Sequence, residues 1–202
     1  MSPEHLHPRR KDRSKDEAWI RGFLHRSGAA VLSTVRDGRP YPIPILFAYD
    51  QDREAIYLHS GKGARTRANL EAGSAGSGED GEPAGKGVGA PVALICFEMG
   101  RLLPADEALE FGVEYASVVV SGRGAVVGDE DEAEHGLHLI MEKYAPHLRP
   151  GRDYRPIAPS EVKRTSVFRL EIQAWSGKQR AAETDFPGAY WLADVREGIG
   201  SG

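Results

Sequence analysis

The chain has 202 residues and a formal net charge of −4 at pH 7, a length that fits one domain with or without appendages. Hydrophobic residues make up 40% and charged residues 28% of the chain, as in a globular protein. No apolar run approaches the roughly 20 residues that a membrane-spanning helix needs, and no signal-peptide pattern follows the basic N terminus. We therefore expect a cytoplasmic protein without a membrane or nucleic-acid partner. The single cysteine, Cys96, excludes an intramolecular disulfide and indicates a core position.

Two segments differ in composition from the rest of the chain. Residues 1–13 are charged and lack periodicity, so we expect a disordered basic arm, and residues 73–90 form a glycine-rich insert that we expect to be flexible. The folded domain should span residues 14–178. Residues 179–202 form a tail with three aromatic residues around a proline-glycine break, and this tail could dock on a partner subunit or lie loose on the surface.

An amphipathic helix is predicted at the start of the domain. Ser14 and Glu17 have the spacing of a capping box. An apolar stripe at helical spacing follows and predicts a helix from about Lys15 to Arg26.

A β-hairpin is predicted next, because Asp-Gly lies between two strand-like runs at 29–35 and 41–49. The second run contains Pro42 and Pro44, which cannot donate backbone hydrogen bonds. This strand should therefore have one side that lacks a neighbour or faces a ligand. A third strand is predicted at 55–60.

The remaining elements alternate between strands and helices. They are a short helix at 66–72, strands at 91–98 and 115–127, a helix from about 129 to 144, and a last strand at 166–175. Gly122 and Gly124 interrupt the strand at 115–127 and predict a bulge or bend. This order predicts an α+β fold with an antiparallel sheet or barrel.

The segment Tyr57–Leu70, "YLHSGKGARTRANL", has the composition of a phosphate site. Lys62, Arg65 and Arg67 surround a glycine-containing loop that leads into a helix whose N-cap could be Thr66. Cations, free backbone N–H groups and the helix dipole would then converge. The segment matches neither a Walker A loop nor a dinucleotide fingerprint. The alternative is a basic, flexible turn on a solvated surface.

Four segments in this order resemble the FMN-binding split β-barrel proteins related to pyridoxamine 5′-phosphate oxidase, and within them the nitroimidazole-resistance (Nim-type) flavoproteins. The segments are "LSTVRDGRPYPIPILFAY", "IYLHSGKGARTRANL", "YASVVVSGRGAVV" and "KRTSVFRLEIQAWSGK". The resemblance covers about Trp19 to Lys178. It implies a six-stranded antiparallel split β-barrel with flanking helices, and a homodimer that holds FMN at its interface and grips the FMN phosphate with residues 57–70.

The resemblance also implies roles for single residues. Arg65 matches the arginine placed against the phosphate. Thr66 stands where many split barrels have lysine, which weakens the phosphate site unless Lys62 substitutes. The residues that the resemblance places near the flavin ring are Ser33 and Thr34 in the first strand, His59 and Ser60 in the third, and Trp175 and Lys178 in the last. Nim-type proteins likewise carry a histidine at the position of His59, the candidate catalytic residue.

These features together predict a reductase that takes hydride from NADH or NADPH and passes electrons to a nitroaromatic, quinone or similar acceptor. The alternatives are a pyridoxamine 5′-phosphate oxidase-like enzyme, a split barrel that holds F420 or haem, and a flavin-binding module without turnover. His59 could be purely structural and Trp175 could belong to the core. His135 and His138 could bind a metal, but without a third ligand nearby a solvated pair is the expected state.

Overall fold

The computed structural model describes residues 9–74 and 89–199, with side chains to Val195. Most of the predicted basic arm and most of the predicted insert lie outside the described residues. The described residues form eight strands: β1 (Ser14–Lys15), β2 (Ala30–Arg36), β3 (Arg39–Ile45), β4 (Phe47–Asp50), β5 (Ala55–Gly61), β6 (Ala90–Leu103), β7 (Gly112–Val126) and β8 (Thr165–Arg180). The α-helices are α1 (Glu17–Arg26), α2 (Arg65–Ser74), α3 (Glu130–Tyr144), α4 (Pro159–Arg164) and α5 (Leu192–Ile199).

One antiparallel sheet joins all the strands in the order β3-β2-β6-β7-β8-β5-β4, and β1 pairs with β8. The two ends of this order, β3 and β4, are separated in the chain only by Leu46, so the sheet curls into a barrel. The predicted α+β class and antiparallel barrel are confirmed. The count of six strands is not, because the predicted strand at 41–49 divides at Leu46 and a two-residue β1 is added.

The barrel encloses the main hydrophobic core. Its largest fully buried side chains come from β-strands and from α1 and α2, and include Phe23, Leu24, Leu32, Phe47, Ile56, Leu58, Leu70, Leu94, Phe168 and Leu170. Burying each such side chain contributes about 1.5–3 kcal/mol. Cys96 is fully buried in the same core, as predicted. Because Phe23 and Leu24 belong to α1 and Leu70 to α2, both helices pack into the barrel core.

A smaller core lies outside the barrel, between β5 and α3. Tyr57 is fully buried there and donates a hydrogen bond to Glu132 (2.8 Å). His135 and Asp50 are joined by a second bond of 2.7 Å. These contacts fix α3 against the outer side of β5. His138 lies 3.4 Å from Glu134 of its own helix, so the two histidines of the predicted pair have different partners.

Several predicted boundaries move. The N-cap of α1 is Asp16, whose carboxylate accepts a hydrogen bond from the Trp19 amide (2.8 Å), rather than Ser14. The predicted bulge is confirmed by a register shift between Ser121 and Gly122. Strand β6 continues to Leu103, five residues beyond the predicted end of this strand at residue 98. No helix in residues 9–74 or 89–199 is long and apolar enough to cross a bilayer.

The tail after β8 packs against its own chain. Arg101 forms an ion pair with Glu114 (2.9 Å) and also donates to the carbonyl oxygens of Glu183 and Thr184. Tyr190 exchanges two backbone hydrogen bonds with Leu102. The hydrogen bond from Arg101 lowers the pKa of Glu114 to about 2. This pair therefore stabilises the fold at pH values above the usual glutamate pKa, and its contribution is lost as the pH falls from there to about 2.

Lys143 is a half-buried cation at the C-terminal end of α1. Its ammonium group donates to the carbonyl oxygen of Leu24 (3.0 Å) and lies 3.5 Å from the centre of the Phe47 ring. It therefore satisfies a free carbonyl at the negative end of the α1 dipole. Burial lowers the pKa of Lys143 to about 8 from its ordinary value of 10.5.

Replacing Gly136 should destabilise the protein although alanine is a better helix former than glycine. A Cβ at Gly136 would lie 2.7 Å from the ring of Tyr57, whereas a Cβ at Gly22 in α1 would meet nothing within 4 Å. We expect Gly136→Ala to lower the free energy of unfolding by about 1–3 kcal/mol and Gly22→Ala to leave it equal or higher. Urea unfolding of both variants measures this, and an equal or higher stability of Gly136→Ala contradicts the packing.

Lys143 should make stability depend on pH in the alkaline range. Between about pH 8 and 10.5 the unfolded chain binds the Lys143 proton and the folded chain does not, so this residue's contribution to the free energy of unfolding rises with pH. We expect the stability difference between wild type and Lys143→Met to shift in favour of wild type from pH 7.5 to 9.5. Lys143 and Cys96 shift each other's pKa, so the difference reports the contribution of the pair. A difference independent of pH contradicts the lowered pKa.

Candidate functional site

The barrel is open along one line, which we call the seam. It lies between the free edge of β3 (Arg39–Ile45) and the last residues of β5 (His59–Gly61). Among the described strands β3 pairs only with β2, and the pairing of β4 with β5 starts at Phe47 opposite Leu58. The end of β5 therefore pairs with β8 alone. The prediction that the proline-containing strand has an unpaired side is confirmed.

His59 lies on the β5 side of the seam and is half-buried. Its Nδ1 atom is buried and has no hydrogen-bond partner among the described residues. Burial lowers the pKa of His59 below its ordinary value of 6.5, so the imidazole is neutral at pH 7. The next residue, Ser60, donates to the carbonyl oxygen of Gly61 (3.2 Å). His59 thus offers an unused ring nitrogen.

A crevice of about 500 Å³ lies where the β2–β3 hairpin approaches α2. We call it the arginine crevice; it is lined by Arg36, Asp37, Arg39, Pro40, Tyr41, Arg65 and Asn69. Three guanidinium groups face one carboxylate, so the crevice is positively charged. The Arg65 guanidinium lies 5.0 Å from the centre of the Tyr41 ring, within cation–π range. A site of this size and charge fits an anionic ligand.

Asn69 forms the buried floor of the arginine crevice. It is 1% exposed, and its side-chain N–H donates to the hydroxyl of Thr34 (2.9 Å). Its carbonyl oxygen is buried without a donor among the described residues. A buried acceptor left unpaired costs about 1–3 kcal/mol, which a donor on a ligand would recover. Thr34 is itself 2% exposed, so it supports Asn69 and does not face a flavin ring as predicted.

The first turn of α2 adds backbone donors beside Arg65. The amides of Arg65 and Thr66 donate to no other described residue, whereas those of Arg67 and Ala68 bond to Ala64. Free amides at a helix N terminus bind anions. Thr66 is 1% exposed and lies inside the helix. It is therefore neither the predicted N-cap nor a direct ligand contact through its side chain.

The three cations of the predicted phosphate site do not converge. Arg65 faces the arginine crevice, whereas Lys62 and Arg67 line a separate cleft of about 220 Å³. Arg67 is held there by Glu71 (2.8 Å) and Ser166 (3.2 Å). Residues two apart on a helix do not face the same side, which separates Arg65 from Arg67. Lys62 therefore does not replace the missing lysine at Thr66.

Trp175 and Lys178 lie in the part of β8 beyond its pairing with β5. Thr165, at the start of β8, pairs with Gly61 at the seam, and Lys178 is about 40 Å further along that strand. Trp175 contacts the ring of Tyr49, with centroids 6.2 Å apart, and Lys178 lies 5.3 Å from the centre of the Tyr115 ring. Within their own chain, Trp175 and Lys178 therefore pack against Tyr49 and Tyr115.

Ser33 lies on an exposed sheet surface that we call the apolar face. Cross-strand pairing places Val31, Ser33, Pro42, Pro44, Ala93 and Ile95 side by side on it, with Phe97 following along β6. Phe97 is 64% exposed. The apolar face adjoins the seam because Pro42 and Pro44 belong to β3. Ser33 is thus near the seam but on the outer surface.

Sequence reasoning missed Arg36, Arg39, Tyr41 and Asn69 as site residues. Arg36 and Arg39 flank the Asp-Gly turn, and their pairing was implicit in the predicted hairpin. Asn69 follows Arg65 by one helical turn and so lies on the same face of α2. The missing information was that α2 packs beside β2, which only the tertiary structure supplies.

The family model described as pyridoxamine 5′-phosphate oxidase matches residues 16–179. No curated protein sequence matches.

Three solved structures are similar to this one, each at 21% identity, which supports a shared fold. The flavocytochrome Anf3 from Azotobacter vinelandii has a TM-score of 0.70 over 94% of this chain and 82% of its own. An FAD and haem binding protein from Mycobacterium smegmatis has a TM-score of 0.68 over 93% of this chain and 80% of its own. A putative 5-nitroimidazole antibiotic resistance protein from Bacteroides thetaiotaomicron has a TM-score of 0.59 over 84% of this chain and 89% of its own. Because the family model spans most of the chain and the barrel agrees with these structures, the chain belongs to the pyridoxamine 5′-phosphate oxidase family.

Proposed function

We propose that the protein is an FMN-dependent oxidoreductase. The observation that carries this proposal is the arginine crevice at one end of the open seam: a cationic site for a phosphate beside an unpaired strand edge for a flat ring. Its place in the pyridoxamine 5′-phosphate oxidase family supports a flavin as the ligand.

The residues present fit an FMN phosphate. A phosphate monoester carries nearly two negative charges at pH 7. The Arg65 guanidinium and the free amides of Arg65 and Thr66 would bind it by charge-assisted hydrogen bonds, the strong class in proteins. The buried carbonyl oxygen of Asn69 would accept a hydrogen bond from a hydroxyl of the ribityl chain. This recovers the desolvation cost that Asn69 otherwise carries.

The seam fits the flavin ring. A bound flavin supplies the hydride chemistry. The chain contributes a free strand edge with unpaired backbone groups, a neutral imidazole at His59, and the apolar rings of Pro42 and Pro44. His59 would hydrogen-bond the ring edge or the substrate through its unused nitrogen. The prolines limit the number of unsatisfied donors along β3 and so permit a dry contact.

The apolar face supports a homodimer. Phe97 and the neighbouring prolines expose an apolar surface beside the seam, and such surfaces mark interaction sites. A second copy packed on this face through a two-fold axis would cover both surfaces and close both seams. Trp175 and Lys178, which lie beyond the part of β8 that pairs with β5, would then approach the flavin from the partner subunit.

For the reaction we propose hydride transfer from NADH or NADPH and electron transfer to a nitroaromatic or similar small acceptor. The structural similarity to the nitroimidazole-resistance protein supports this choice of acceptor. The similarity to a flavocytochrome and to an FAD and haem binding protein favours haem, or FAD in place of FMN, as a second candidate cofactor. The absorption spectrum of the purified protein and the identity of the extracted flavin separate these candidates from F420 and from a module without turnover.

Arg65→Gln should release the cofactor and leave the fold intact. Losing the guanidinium should weaken FMN binding roughly ten-fold or more, measured as bound flavin per chain and as Kd for added FMN. Arg152→Gln is the matched control, because Arg152 is 73% exposed and lies outside the crevice. Unchanged flavin content in Arg65→Gln would place the phosphate elsewhere.

His59→Ala should lower turnover more than flavin content. We expect kcat for reduction of a nitro compound with NADPH to fall roughly ten-fold at unchanged flavin absorbance. The wild-type rate should also fall as the pH drops through the lowered pKa of His59, because protonation removes its acceptor nitrogen. The pH profile of the variant should be flat there. Equal rates for variant and wild type would make His59 structural.

A further inference from the structure

We propose that Arg36 and Arg39, at the end of the β2–β3 hairpin, bind the 2′-phosphate of the nicotinamide donor and so select NADPH over NADH. This inference rests on the proposed function, in which a nicotinamide nucleotide reduces the flavin at the neighbouring seam. It concerns two residues that lie outside the predicted phosphate segment, residues 57–70.

The hairpin places two like charges side by side. Arg36 and Arg39 are the last pair of the β2–β3 ladder and lie directly opposite each other, joined by a turn in which Asp37 and Gly38 have φ of 52° and 70°. Side chains paired in this way have Cβ atoms about 4.5–5.5 Å apart, and like charges there are destabilising. An anion held between the two guanidiniums would reverse this cost.

No carboxylate among the described residues lies between the two guanidinium groups as such an anion would. The nearest carboxylate is that of Asp37, 3.8 Å from the Arg36 guanidinium and 88% exposed, and such exposed pairs contribute little. Arg39 forms no ion pair within the described residues. Two guanidiniums bind a phosphate monoester with several parallel hydrogen bonds, the geometry in which arginine exceeds lysine.

The ligand of this pair is distinct from the resident cofactor. The FMN phosphate is satisfied on the α2 side of the crevice, by Arg65 and the free amides of the first helical turn. Arg36 and Arg39 occupy the opposite, exposed side, at the mouth of a crevice of about 500 Å³. An exposed mouth suits a ligand that enters and leaves in every turnover.

A nicotinamide donor meets these requirements through its adenosine half. Its nicotinamide must reach the flavin ring at the seam, and its adenosine must then lie on nearby protein surface. NADPH differs from NADH only by a dianionic phosphate on the adenosine ribose, and arginine is the residue that accommodates this 2′-phosphate in dinucleotide sites. The hairpin arginines are therefore placed to read that difference.

The test compares 2′,5′-ADP with 5′-AMP as probes, by calorimetric titration of the full-length protein as purified. Wild type should bind 2′,5′-ADP at least roughly ten-fold tighter than 5′-AMP. The double variant Arg36→Gln/Arg39→Gln should lose this preference while its flavin content stays at the wild-type level. Arg152→Gln should behave as wild type. In turnover, the ratio of kcat/KM for NADPH to that for NADH should fall by the same factor in the double variant.

Three results would overturn the inference: equal affinity of wild type for the two probes, a preference that survives in the double variant, or loss of flavin from the double variant. The last result would assign the hairpin arginines to the cofactor. Failure of the proposed function is distinguishable, since a colourless protein that still prefers 2′,5′-ADP through Arg36 and Arg39 retains the nucleotide site without a flavin.

Discussion

The incomplete closure of the barrel is the constraint on which the site depends. A sheet whose two ends are formed by one bent segment, β3 and β4, can close fully only if that segment pairs along its whole length with β5. Pairing stops at Phe47 and Leu58, and the prolines in β3 remove the donors that would continue it. The same hydrogen bonds that are missing from the ladder leave a backbone edge available to a ligand. A barrel without Pro42 and Pro44 would have a stronger tendency to close at the site.

Positive charge is concentrated at one end of the seam. The chain as a whole is acidic, yet the crevice at one end of the seam gathers three arginines and a single exposed carboxylate. Several other arginines among the described residues have close acidic partners, as Arg101 has Glu114 and Arg67 has Glu71. For ligand binding, the lack of close acidic partners in the crevice matters more than the number of arginines there. Uncompensated guanidiniums beside a buried, unpaired amide oxygen are costly for folding alone, and a polar anionic ligand offsets that cost.

The sequence predicted well those features that depend on local chemistry. The Asp-Gly turn requires positive φ at both positions and defines the hairpin, the prolines mark the free edge, and Gly122 marks the bulge. The prediction that Arg65 contacts a phosphate is consistent with its position in the crevice.

Predictions that depend on the direction in which a side chain points were wrong, and some site residues were missed for the same reason. The side chain of Thr66 turns inward, Lys62 turns to another cleft, and Asn69 matters only because α2 packs beside Thr34. A shift of one residue rotates a helical side chain by about 100°, and residue spacing at an undefined helix start does not resolve it.

The tail and the arginine crevice lie at opposite ends of the long strand β6. The tail is bonded at Arg101 and Leu102, near the end of β6, whereas β6 begins at Ala90 beside α2 and the crevice. About 40 Å of continuous strand lies between these ends. Local opening of the tail therefore breaks contacts at one pole of the barrel and leaves those around the crevice in place. Limited proteolysis within residues 183–190 would therefore report local opening at the tail end of the barrel. The crevice end would keep its native hydrogen bonds during this opening.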